Sequence, residues 1–263
     1  MVTAPDYRMH VGPADGFDRM AAMQFNLLTH LGLREHHDLL DIGCGSLRAG
    51  RLFIPYLLPG RYCGLEPEEW LVNDGIVHEV GRSQIEIKHP TFDANRDFKL
   101  TAFGRQFDFL IAQSIFSHTS VRQMEACLSE ARAVMRPQAM FVASYFPGED
   151  YEGDSWTIKA TYRFERIEAL ARAAGLSCTP LDWPHSDFQE WLLFTHPDQA
   201  VDRSELTSSE RMLQLESALV DMTRQRDQLL NHPWTRLGMR LHLLKMLAGF
   251  KAREVMRTIR RKS

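Results

Sequence analysis

Short apolar runs alternate with amphipathic segments along the middle of the chain, from about residue 38 to residue 196. Apolar runs bounded by turn residues are typical of buried strands, and apolar positions three and four residues apart are typical of helices on a core. The runs that predict strands are Leu39–Ile42, Tyr62–Leu65, Ile85–Ile87, Phe107–Ala112, Ala139–Phe146, Leu176–Leu181 and Phe188–Phe194. The segments that predict helices are Phe17–Leu33, Leu47–Leu58, Glu68–Val80, Val121–Met135 and Phe164–Ala174.

This alternation predicts an α/β fold with an open, Rossmann-like, mostly parallel sheet of seven strands and helices on both faces. The last two strands have no helix between them, which predicts an antiparallel edge strand. We divide the chain into an N-terminal helical cap, an α/β domain, an amphipathic or coiled-coil helix and a basic amphipathic tail. These four parts span residues 1–37, 38–197, 198–232 and 233–263.

The composition predicts a folded core and indicates a compartment. With 263 residues, 44% of them hydrophobic, the chain can bury a large core, which excludes disorder throughout. Its four cysteines form no CxxC pair, so we expect reduced thiols and neither a disulfide framework nor a metal site. The first residues lack a signal-peptide pattern, and no long apolar stretch predicts a membrane span. We therefore expect a cytoplasmic protein.

The charge is distributed unevenly between the body and the tail. Residues 233–263 carry nine basic residues and one acid, a net charge of +8, which leaves −11 for the rest of a chain whose net charge is −3. Before this tail, apolar residues recur at three- and four-residue steps, with Arg226 breaking the set: Met212, Leu215, Leu219, Met222 and Leu229. This pattern favours either a coiled coil that makes a homo-oligomer or a helix docked on the body. The basic tail suits peripheral contact with the inner membrane face. Nucleic acid is the weaker alternative, and we expect none.

The end of the first predicted strand carries the strongest chemical signal. It reads Asp41-Ile42-Gly43-Cys44-Gly45-Ser46, an acid followed by a glycine-rich turn at the sheet edge where such folds bind ligands. A dinucleotide site requires a third glycine, but Arg48 stands at that position. An acid at Asp41 suits a cationic ligand better than a pyrophosphate. Glu66, at the end of the second strand, can accept hydrogen bonds from two ribose hydroxyls.

These motifs resemble those of class I S-adenosylmethionine-dependent methyltransferases. The resemblance covers about 60% of the chain, from Leu39 to Phe194, and residues 41–57 are its most specific part. Gln138-Ala139 departs from the glycine pair that is usual before the fifth strand, a difference confined to a turn.

The resemblance implies S-adenosyl-L-methionine as the cofactor and assigns roles to matching residues. Glu66 would hold the ribose and Asp93 would face the adenine. Tyr7 and His10 either close over the cofactor or belong to a disordered lead. The residues that would line the methionine moiety and the transferable methyl group are Asp41, Gly43, Cys44, Gly45, Gln113 and Ser114.

A hydroxyl acceptor would also need a group that takes its proton, and we choose His118, in the turn after the fourth strand. The alternative for His118 is a structural role before the next helix. The acidic run Glu149–Asp154 either supplies a base or metal ligand or is a solvated loop. Trp156, Trp183 and His185 either form an acceptor platform or pack as structural aromatics.

The leading hypothesis for the function is O-methylation of a sugar or another small hydroxylated molecule. The tail resembles those of bacterial enzymes that build surface polysaccharides, which favours a glycan acceptor. Two alternatives stay open: N-methylation of a protein or nucleic acid, and a non-catalytic scaffold that binds the cofactor.

Overall fold

The computed structural model describes residues 6–12, 14–152, 159–185 and 187–199. The predicted basic tail, almost all of the predicted coiled-coil helix and Trp156 lie outside these residues. Within them, no helix is both long enough and apolar enough to cross a membrane.

A mostly parallel sheet organises the described residues. Seven of its strands follow the order β3-β2-β1-β4-β5-β8-β7, and the short β6 pairs with the end of β5. Strands β1 to β6 pair with one another in parallel, while β8 runs antiparallel to both β5 and β7. The strands are β1 (Leu39–Ile42), β2 (Tyr62–Leu65), β3 (Thr91–Asp93), β4 (Phe107–Ala112), β5 (Met135–Pro147), β6 (Thr161–Tyr162), β7 (Ser177–Leu181) and β8 (Glu190–Thr195). The predicted Rossmann-like fold class is confirmed, with the antiparallel pairing at one edge.

Helices cover both faces of this sheet. Along β4, Leu110 packs into one buried cluster with helices α6 and α7, while Ile111 packs into the other with α2 and α3. The helices are α1 (Tyr7–His10), α2 (Phe17–His30), α3 (Gly50–Tyr56), α4 (Glu69–Gly75), α5 (Arg82–Lys88), α6 (Val121–Val134) and α7 (Phe164–Ala173). Successive side chains of a strand point to opposite faces, so a strand buried on both faces becomes one continuous apolar run. That is why the bounds of β1, β2 and β4 could be predicted from the sequence.

The predicted strand Ile85–Ile87 is wrong, because these residues lie in α5. Gly81 (φ +88°) precedes this helix and His89 (φ +49°) ends it in the left-handed conformation. The third strand follows as β3, whose residues are partly exposed and therefore lack an apolar run.

The helix expected from Leu47 begins instead at Gly50. Leu47 has φ +57°, a left-handed conformation that no helix continues through. Residues 45–49 form a turn, and the N–H of Leu47 donates to the carbonyl of Cys44 at 3.0 Å. After α4, Ile76–Val80 forms a π-helical turn, a feature that often marks a functional region.

Candidate active site

Two carboxylic acids lie at the carboxyl ends of neighbouring parallel strands. Asp41 in β1 pairs in register with Gly64 of β2, and Glu66 follows β2 directly. Asp41 is 3% exposed and Glu66 is 8% exposed. Since parallel strands end at the same edge of a sheet, the two carboxyl groups occupy adjacent positions there.

The Asp41 carboxyl group is held by one hydrogen bond from a buried tyrosine. The hydroxyl of Tyr62 donates to Oδ2 of Asp41 at 2.8 Å. Burial raises the pKa of Asp41 to about 6, while the Tyr62 hydrogen bond and the charge of Arg48 act in the opposite direction. The charged form of Asp41 is therefore costly in this structure, which suits a site that gains a cationic ligand.

Glu66 joins the turn after β1 to the start of α4. Its Oε2 accepts a hydrogen bond of 2.9 Å from the Gly45 N–H, and its Oε1 accepts one of 2.9 Å from the Glu68 N–H. Burial raises the pKa of Glu66, and the two backbone hydrogen bonds oppose that rise. Each carboxylate oxygen keeps acceptor capacity for a further donor, because it has a second lone pair.

The glycines of the turn are required by both conformation and packing. Gly43 (φ +72°) and Gly45 (φ +53°) are left-handed. A Cβ at Gly43 would lie 2.1 Å from Cδ1 of Ile115, and one at Gly45 would lie 2.7 Å from Cγ1 of Val11. The side chains of Ile115 and Val11 thus pack directly against the turn.

Cys44, between these glycines, turns its side chain into the sheet. A Cβ at Gly64 would lie 2.8 Å from its Sγ, and the Cys44 N–H donates to the carbonyl of Leu65 at 3.0 Å. Burial raises the pKa of its thiol well above the ordinary value. Cys44 therefore borders the turn as a neutral, packed residue.

Asp93 is the last residue of β3 and lies beside the Glu66 backbone. Its carbonyl accepts a hydrogen bond of 3.0 Å from the Glu66 N–H. Its Oδ1 accepts hydrogen bonds of 2.9 Å and 2.6 Å from the backbone and side-chain nitrogens of Asn95. The structure thus brings the predicted adenine residue to the same sheet edge as the predicted ribose residue.

A network of polar side chains follows the end of β4. Nε2 of Gln113 donates to Oγ of Ser114 at 2.6 Å, and Nε2 of Gln189 donates to the same oxygen at 2.6 Å. The Ser114 N–H donates to Oγ of Ser144 at 2.8 Å, and that hydroxyl donates to Oε1 of Gln189 at 2.7 Å. Ser114 has φ +58°, so a left-handed residue turns the chain at this point. The segment before β8 therefore closes on the two residues predicted to flank the methyl group.

His185 is the histidine that the structure places beside Gln113. Its Nε2 lies 3.3 Å from Nε2 of Gln113, and its Nδ1 accepts a hydrogen bond of 3.1 Å from the Asp187 N–H. Burial lowers the pKa of His185 to about 4, with Asp187 opposing and Arg48 reinforcing this shift. Its imidazole is therefore neutral near pH 7.

The aromatic residues of the same loop divide into buried and exposed members. Trp183 is 8% exposed and its ring centroid lies 5.2 Å from that of His30, so it packs as part of the core. The ring of His185 lies 5.3 Å from that of Trp191. Phe188, by contrast, is 90% exposed and has φ +57°. The most accessible aromatic ring on this loop is one that the sequence analysis had not singled out.

His118 lies in the turn between β4 and α6. Its N–H donates to the carbonyl of Ile115 at 3.0 Å. Its two neighbours contact the strand after the acidic loop: the Ala160 N–H donates to the carbonyl of Ser117 at 2.8 Å, and the Tyr162 hydroxyl donates to that of Thr119 at 2.5 Å. These contacts fix the backbone of the turn, and the proposed role of His118 as a base stays a prediction.

The described acids of the run 149–154 make local contacts. Oδ1 of Asp150 accepts from the Arg163 N–H at 2.9 Å, and Oε2 of Glu152 accepts from the Val121 N–H at 3.2 Å. In the described part of the chain, no group of three or more His, Cys, Asp or Glu residues could hold a metal ion.

The N-terminal segment, residues 6–12, packs across the glycine turn. The hydroxyl of Tyr7 donates to Oε1 of Glu79 at 2.8 Å, and the His10 ring lies edge-on to Trp70, with centroids 5.2 Å apart. Val11 lies against Gly45, as described above, and the charge of His10 opposes the rise that burial causes in the pKa of Glu66. This segment contains Tyr7 and His10, the two residues proposed to close over the cofactor, and it lies against the glycine turn.

Arg48 is the residue of this site that sequence reasoning missed. Its guanidinium donates to the carbonyl of Val11 at 2.6 Å and to Oε1 of Gln113. It therefore connects the N-terminal segment to the end of β4. The sequence analysis treated Arg48 only as a missing glycine, although a charged residue inside a buried turn was itself a signal.

A groove on the described part of the chain lies away from these residues. It has a volume of about 570 Å³ and runs between α7 and β7, with Arg172, Cys178 and Thr195 among its lining residues. None of the predicted site residues borders this groove. The candidate site is the region at the ends of β1, β2 and β4, where the predicted acids and amides come together.

Comparison with known proteins connects this geometry to a reaction. Residues 40–141 match the model of a family described as a methyltransferase domain. The chain contains a methyltransferase domain. It is therefore an enzyme, and methyltransferase domains of this fold take their methyl group from S-adenosylmethionine. No curated protein sequence matches the chain significantly.

Solved structures with the same fold include methyltransferases with different acceptors. Magnesium protoporphyrin IX methyltransferase from Synechocystis, with bound S-adenosylhomocysteine, has a TM-score of 0.54 and 15% identity over 73% of this chain and 89% of its own. A putative O-methyltransferase from Nostoc punctiforme has a TM-score of 0.53 and 15% identity over 73% of this chain and 61% of its own. A glycopeptide N-methyltransferase, MtfA, has a TM-score of 0.52 and 9% identity over 67% of this chain and 94% of its own. These likenesses establish the fold of the methyltransferase domain.

The charges at the site suit a cofactor that carries both signs. The cofactor has a sulfonium, an amino group and a carboxylate, and the site offers the acids Asp41 and Glu66 together with the cation of Arg48. Glu66 keeps free acceptor capacity for hydroxyl donors, as a ribose requires. The residues present therefore fit the group that the methyltransferase domain uses.

Proposed function

We propose that this enzyme transfers the methyl group of S-adenosylmethionine to a hydroxyl of a sugar or another small hydroxylated molecule. The observation that carries the proposal is the polar network after β4, where the neutral imidazole of His185 lies 3.3 Å from the Gln113 amide. Neutral hydrogen-bonding groups at this point suit an uncharged hydroxyl acceptor.

The cofactor would lie along the sheet edge from β3 to β4. Asp93 would face the adenine, and Glu66 would accept hydrogen bonds from the ribose hydroxyls. The turn after β1 would border the methionine moiety through Asp41 and the backbone of residues 43–45. Gln113 and Ser114 would flank the methyl group, because they follow β4 on the far side of β1 from Glu66.

The reaction requires little covalent chemistry from the protein. The bound cofactor supplies a methyl group that its sulfonium already activates for in-line displacement. The residues of this chain would align the acceptor oxygen with that methyl group and exclude water. The N-terminal segment contributes to the exclusion of water, since Val11 lies directly on the glycine turn.

Two histidines are candidates for taking the proton of the acceptor hydroxyl. His118 occupies the turn after β4, and we keep it as the proposed base. His185 lies beside Gln113 and is neutral near pH 7, but its pKa of about 4 makes it the weaker base, and its acceptor nitrogen Nδ1 already binds the Asp187 N–H. Substitution of each in turn distinguishes them, as argued in the Discussion.

The exposed ring of Phe188 supports a sugar or a similar acceptor. Phe188 is followed by Gln189, whose amide binds the Ser114 hydroxyl. An aromatic face beside the methyl position suits the apolar C–H face of a sugar ring. The segment Gln113-Ser114-Ile115-Phe116 differs from the Asn/Asp-Pro-Pro-aromatic sequence used for amino groups on bases, which disfavours a nucleic-acid acceptor.

Calorimetric titration with S-adenosylhomocysteine, followed by a transfer assay, tests this proposal. We expect the full chain to bind this product and to move a labelled methyl group onto extracted surface glycans or hydroxylated sugars. Loss of the product label under conditions that cleave methyl ethers but not methylamines would show the bond to be C–O. Labelling of a protein or nucleic acid instead would establish an N-methyltransferase, and cofactor binding without transfer to any acceptor would favour a scaffold.

We also propose, from sequence alone, that the basic tail holds the enzyme at the anionic inner face of a membrane and that the preceding helix makes homo-oligomers. Nine basic residues in 233–263 would each contribute about 1 kcal/mol near anionic lipid. Co-sedimentation of the full chain with phosphatidylserine vesicles, but not with phosphatidylcholine vesicles, is the expected result. If the chain sediments with neither kind of vesicle, or equally with both, the membrane proposal is contradicted. A monomer by light scattering would contradict the oligomer.

A further inference from the structure

Arg48 carries a positive charge into the glycine turn, where both of its own hydrogen-bond acceptors are neutral. Its Nη1 donates to the Val11 carbonyl at 2.6 Å, and its Nη2 donates to the side-chain oxygen of Gln113. Burial lowers the pKa of Arg48 to about 10, an effect that the charges of Asp41 and Asp187 oppose. The guanidinium nevertheless stays charged near pH 7.

The surroundings of Arg48 differ from those of the other partly buried arginines. Arg51 pairs with Glu79, and Arg61, Arg105 and Arg136 pair with the fully buried Asp38. Within the described residues, Arg48 makes no ion pair with a carboxylate; its two hydrogen-bond acceptors are uncharged. The carboxylates of Asp41 and Asp187 act on this guanidinium from beyond ion-pair distance. A buried charge is costly unless it is paired directly, so an anionic ligand group in contact with Arg48 would be stabilising.

The position of Arg48 identifies which part of the cofactor it faces. Strand β1 lies between β2, which carries Glu66, and β4, which leads to Gln113. With the ribose held at Glu66, the amino-acid portion of the cofactor extends over the turn after β1 towards Gln113, the residue that Arg48 contacts. That portion ends in the only carboxylate of the cofactor.

The guanidinium has capacity for this carboxylate without giving up its present contacts. It has five N–H donors, of which the bonds to Val11 and Gln113 use two. A planar guanidinium binds a carboxylate through two parallel hydrogen bonds, and such charge-assisted pairs are stronger than neutral ones.

We propose that Arg48 binds the α-carboxylate of S-adenosylmethionine while it holds the carbonyl of Val11, so that one side chain joins the cofactor to the N-terminal segment. This inference rests on the cofactor named in the proposed function. It makes Arg48 a determinant of cofactor specificity and couples cofactor binding to the order of residues 6–12. Because such coupling is reciprocal, a ligand without the carboxylate should stabilise the segment less.

A comparison of two ligands tests the role of Arg48 by binding alone. S-adenosylhomocysteine carries the carboxylate, whereas 5′-methylthioadenosine has the same adenine, ribose and thioether sulfur without it. By calorimetric titration, we expect Arg48→Gln to weaken the binding of S-adenosylhomocysteine about 10- to 100-fold. The binding of 5′-methylthioadenosine should change by less than about threefold, because the contacts that this ligand makes do not include the carboxylate.

Two further variants control for charge and folding. Arg172→Gln makes the same substitution at an exposed position on α7 and should leave both affinities unchanged. Arg48→Lys retains the charge without the fork of donors, so it should keep a reduced preference for S-adenosylhomocysteine. If Arg48→Gln does not fold, the ratio of the two affinities in Arg48→Lys and in the unaltered chain still tests the inference.

The outcomes separate this inference from the proposed function. Equal weakening of both ligands in Arg48→Gln would make Arg48 a residue that only shapes the turn and would overturn the inference. Unchanged binding of S-adenosylhomocysteine would overturn it as well. Failure of the unaltered chain to bind either ligand would instead contradict the proposed cofactor site as a whole.

Discussion

The Gly45 amide donates a hydrogen bond of 2.9 Å to Oε2 of Glu66, which ties the turn after β1 to the end of β2. The same carboxylate receives the N–H of Glu68 through its other oxygen. One buried side chain thus sets the separation between the two strand ends, and it does so with acceptor capacity to spare for a ligand. Positioning of the turn and binding of the ribose would depend on a single group.

We predict that Glu66→Gln weakens the binding of S-adenosylhomocysteine by about tenfold or more, because a charge-assisted acceptor becomes a neutral amide. The loss should extend to 5′-methylthioadenosine, since both ligands carry the ribose. Titration calorimetry measures both, and Glu125→Gln on the exposed side of α6 is the matched control. A loss confined to S-adenosylhomocysteine would place Glu66 at the wrong end of the cofactor.

The buried carboxyl group of Asp41 should make the stability of the folded chain depend on pH, because its charged form is unfavourable for folding but favourable for binding a cationic group. Its pKa is raised from 3.8 to about 6 in the folded chain, so the neutral form favours folding. This contribution is fully present below about pH 4, and it is lost as the pH rises through about 6, with a total of about 3 kcal/mol. Asn, which is always neutral and can still accept the Tyr62 hydrogen bond, removes this dependence.

The measurement is the free energy of unfolding in urea for the unaltered chain and for Asp41→Asn, at about pH 4 and about pH 7. The variant should gain stability relative to the unaltered chain by about 2–3 kcal/mol between these two values. The same substitution should weaken the binding of S-adenosylhomocysteine at pH 7, since the carboxylate that would face the ligand's amino group is gone. Parallel stability profiles for the two proteins would contradict the raised pKa.

The sequence defines the central strands and the acids at their ends, because burial on both faces leaves a continuous apolar run in β1, β2 and β4. It does not define β3, whose partly exposed residues lack that pattern, and the alternation of Ile85 and Ile87 led to a wrong strand inside α5. The backbone conformations of Gly81 and His89 set the two ends of α5. These conformations depend on the tertiary structure, and a short sequence pattern does not contain them.

Side chains that reach across the fold were also beyond the sequence analysis. The contacts of Arg48 with Val11 and Gln113 join residues 37 and 65 positions apart. The approach of His185 to Gln113 spans 72 positions. Local spacing identifies a residue on a strand end, but it does not predict which distant loop closes on it. The base was therefore placed at the nearest histidine in the chain, His118.

The two histidines should separate in a transfer assay. Loss of a general base typically lowers kcat by about 10²- to 10⁴-fold, so we expect one of His118→Gln and His185→Gln to show such a fall with S-adenosylhomocysteine binding retained. His36→Gln, exposed at the opposite edge of the sheet, is the matched control. A large fall in neither variant would mean that the acceptor loses its proton to water.

Gly43 allows backbone strain and packing to be separated. Gly43 and Gly60 have nearly equal φ angles, +72° and +74°, but a Cβ would meet Ile115 at Gly43 and open space at Gly60. Gly60→Ala should cost about 1–2 kcal/mol of stability, and Gly43→Ala should cost more. Adding Ile115→Ala should reduce the Gly43→Ala cost, measured against Ile115→Ala alone, to that of Gly60→Ala. No difference between the two glycines would show that Ile115 yields freely.

Glu79 holds the N-terminal segment, residues 6–12, against the α/β domain through contacts with Tyr7 and Arg8. Its carboxylate, 3% exposed, accepts the hydroxyl of Tyr7 and pairs with Arg8 at 2.5 Å and Arg51 at 3.3 Å. Glu79→Gln removes the charged partner of Arg8 and leaves Arg51 only its pair with the exposed Asp18, so we expect lower stability and faster amide hydrogen exchange in residues 6–12. Binding of S-adenosylhomocysteine should weaken with it, because Val11 and Arg48 then lose their shared support. Glu168→Gln, whose carboxylate pairs with Arg172 on the exposed side of α7, should change none of these. Faster exchange spread evenly over the whole domain, with no excess in residues 6–12, would show instead that Glu79 supports the fold and not this segment.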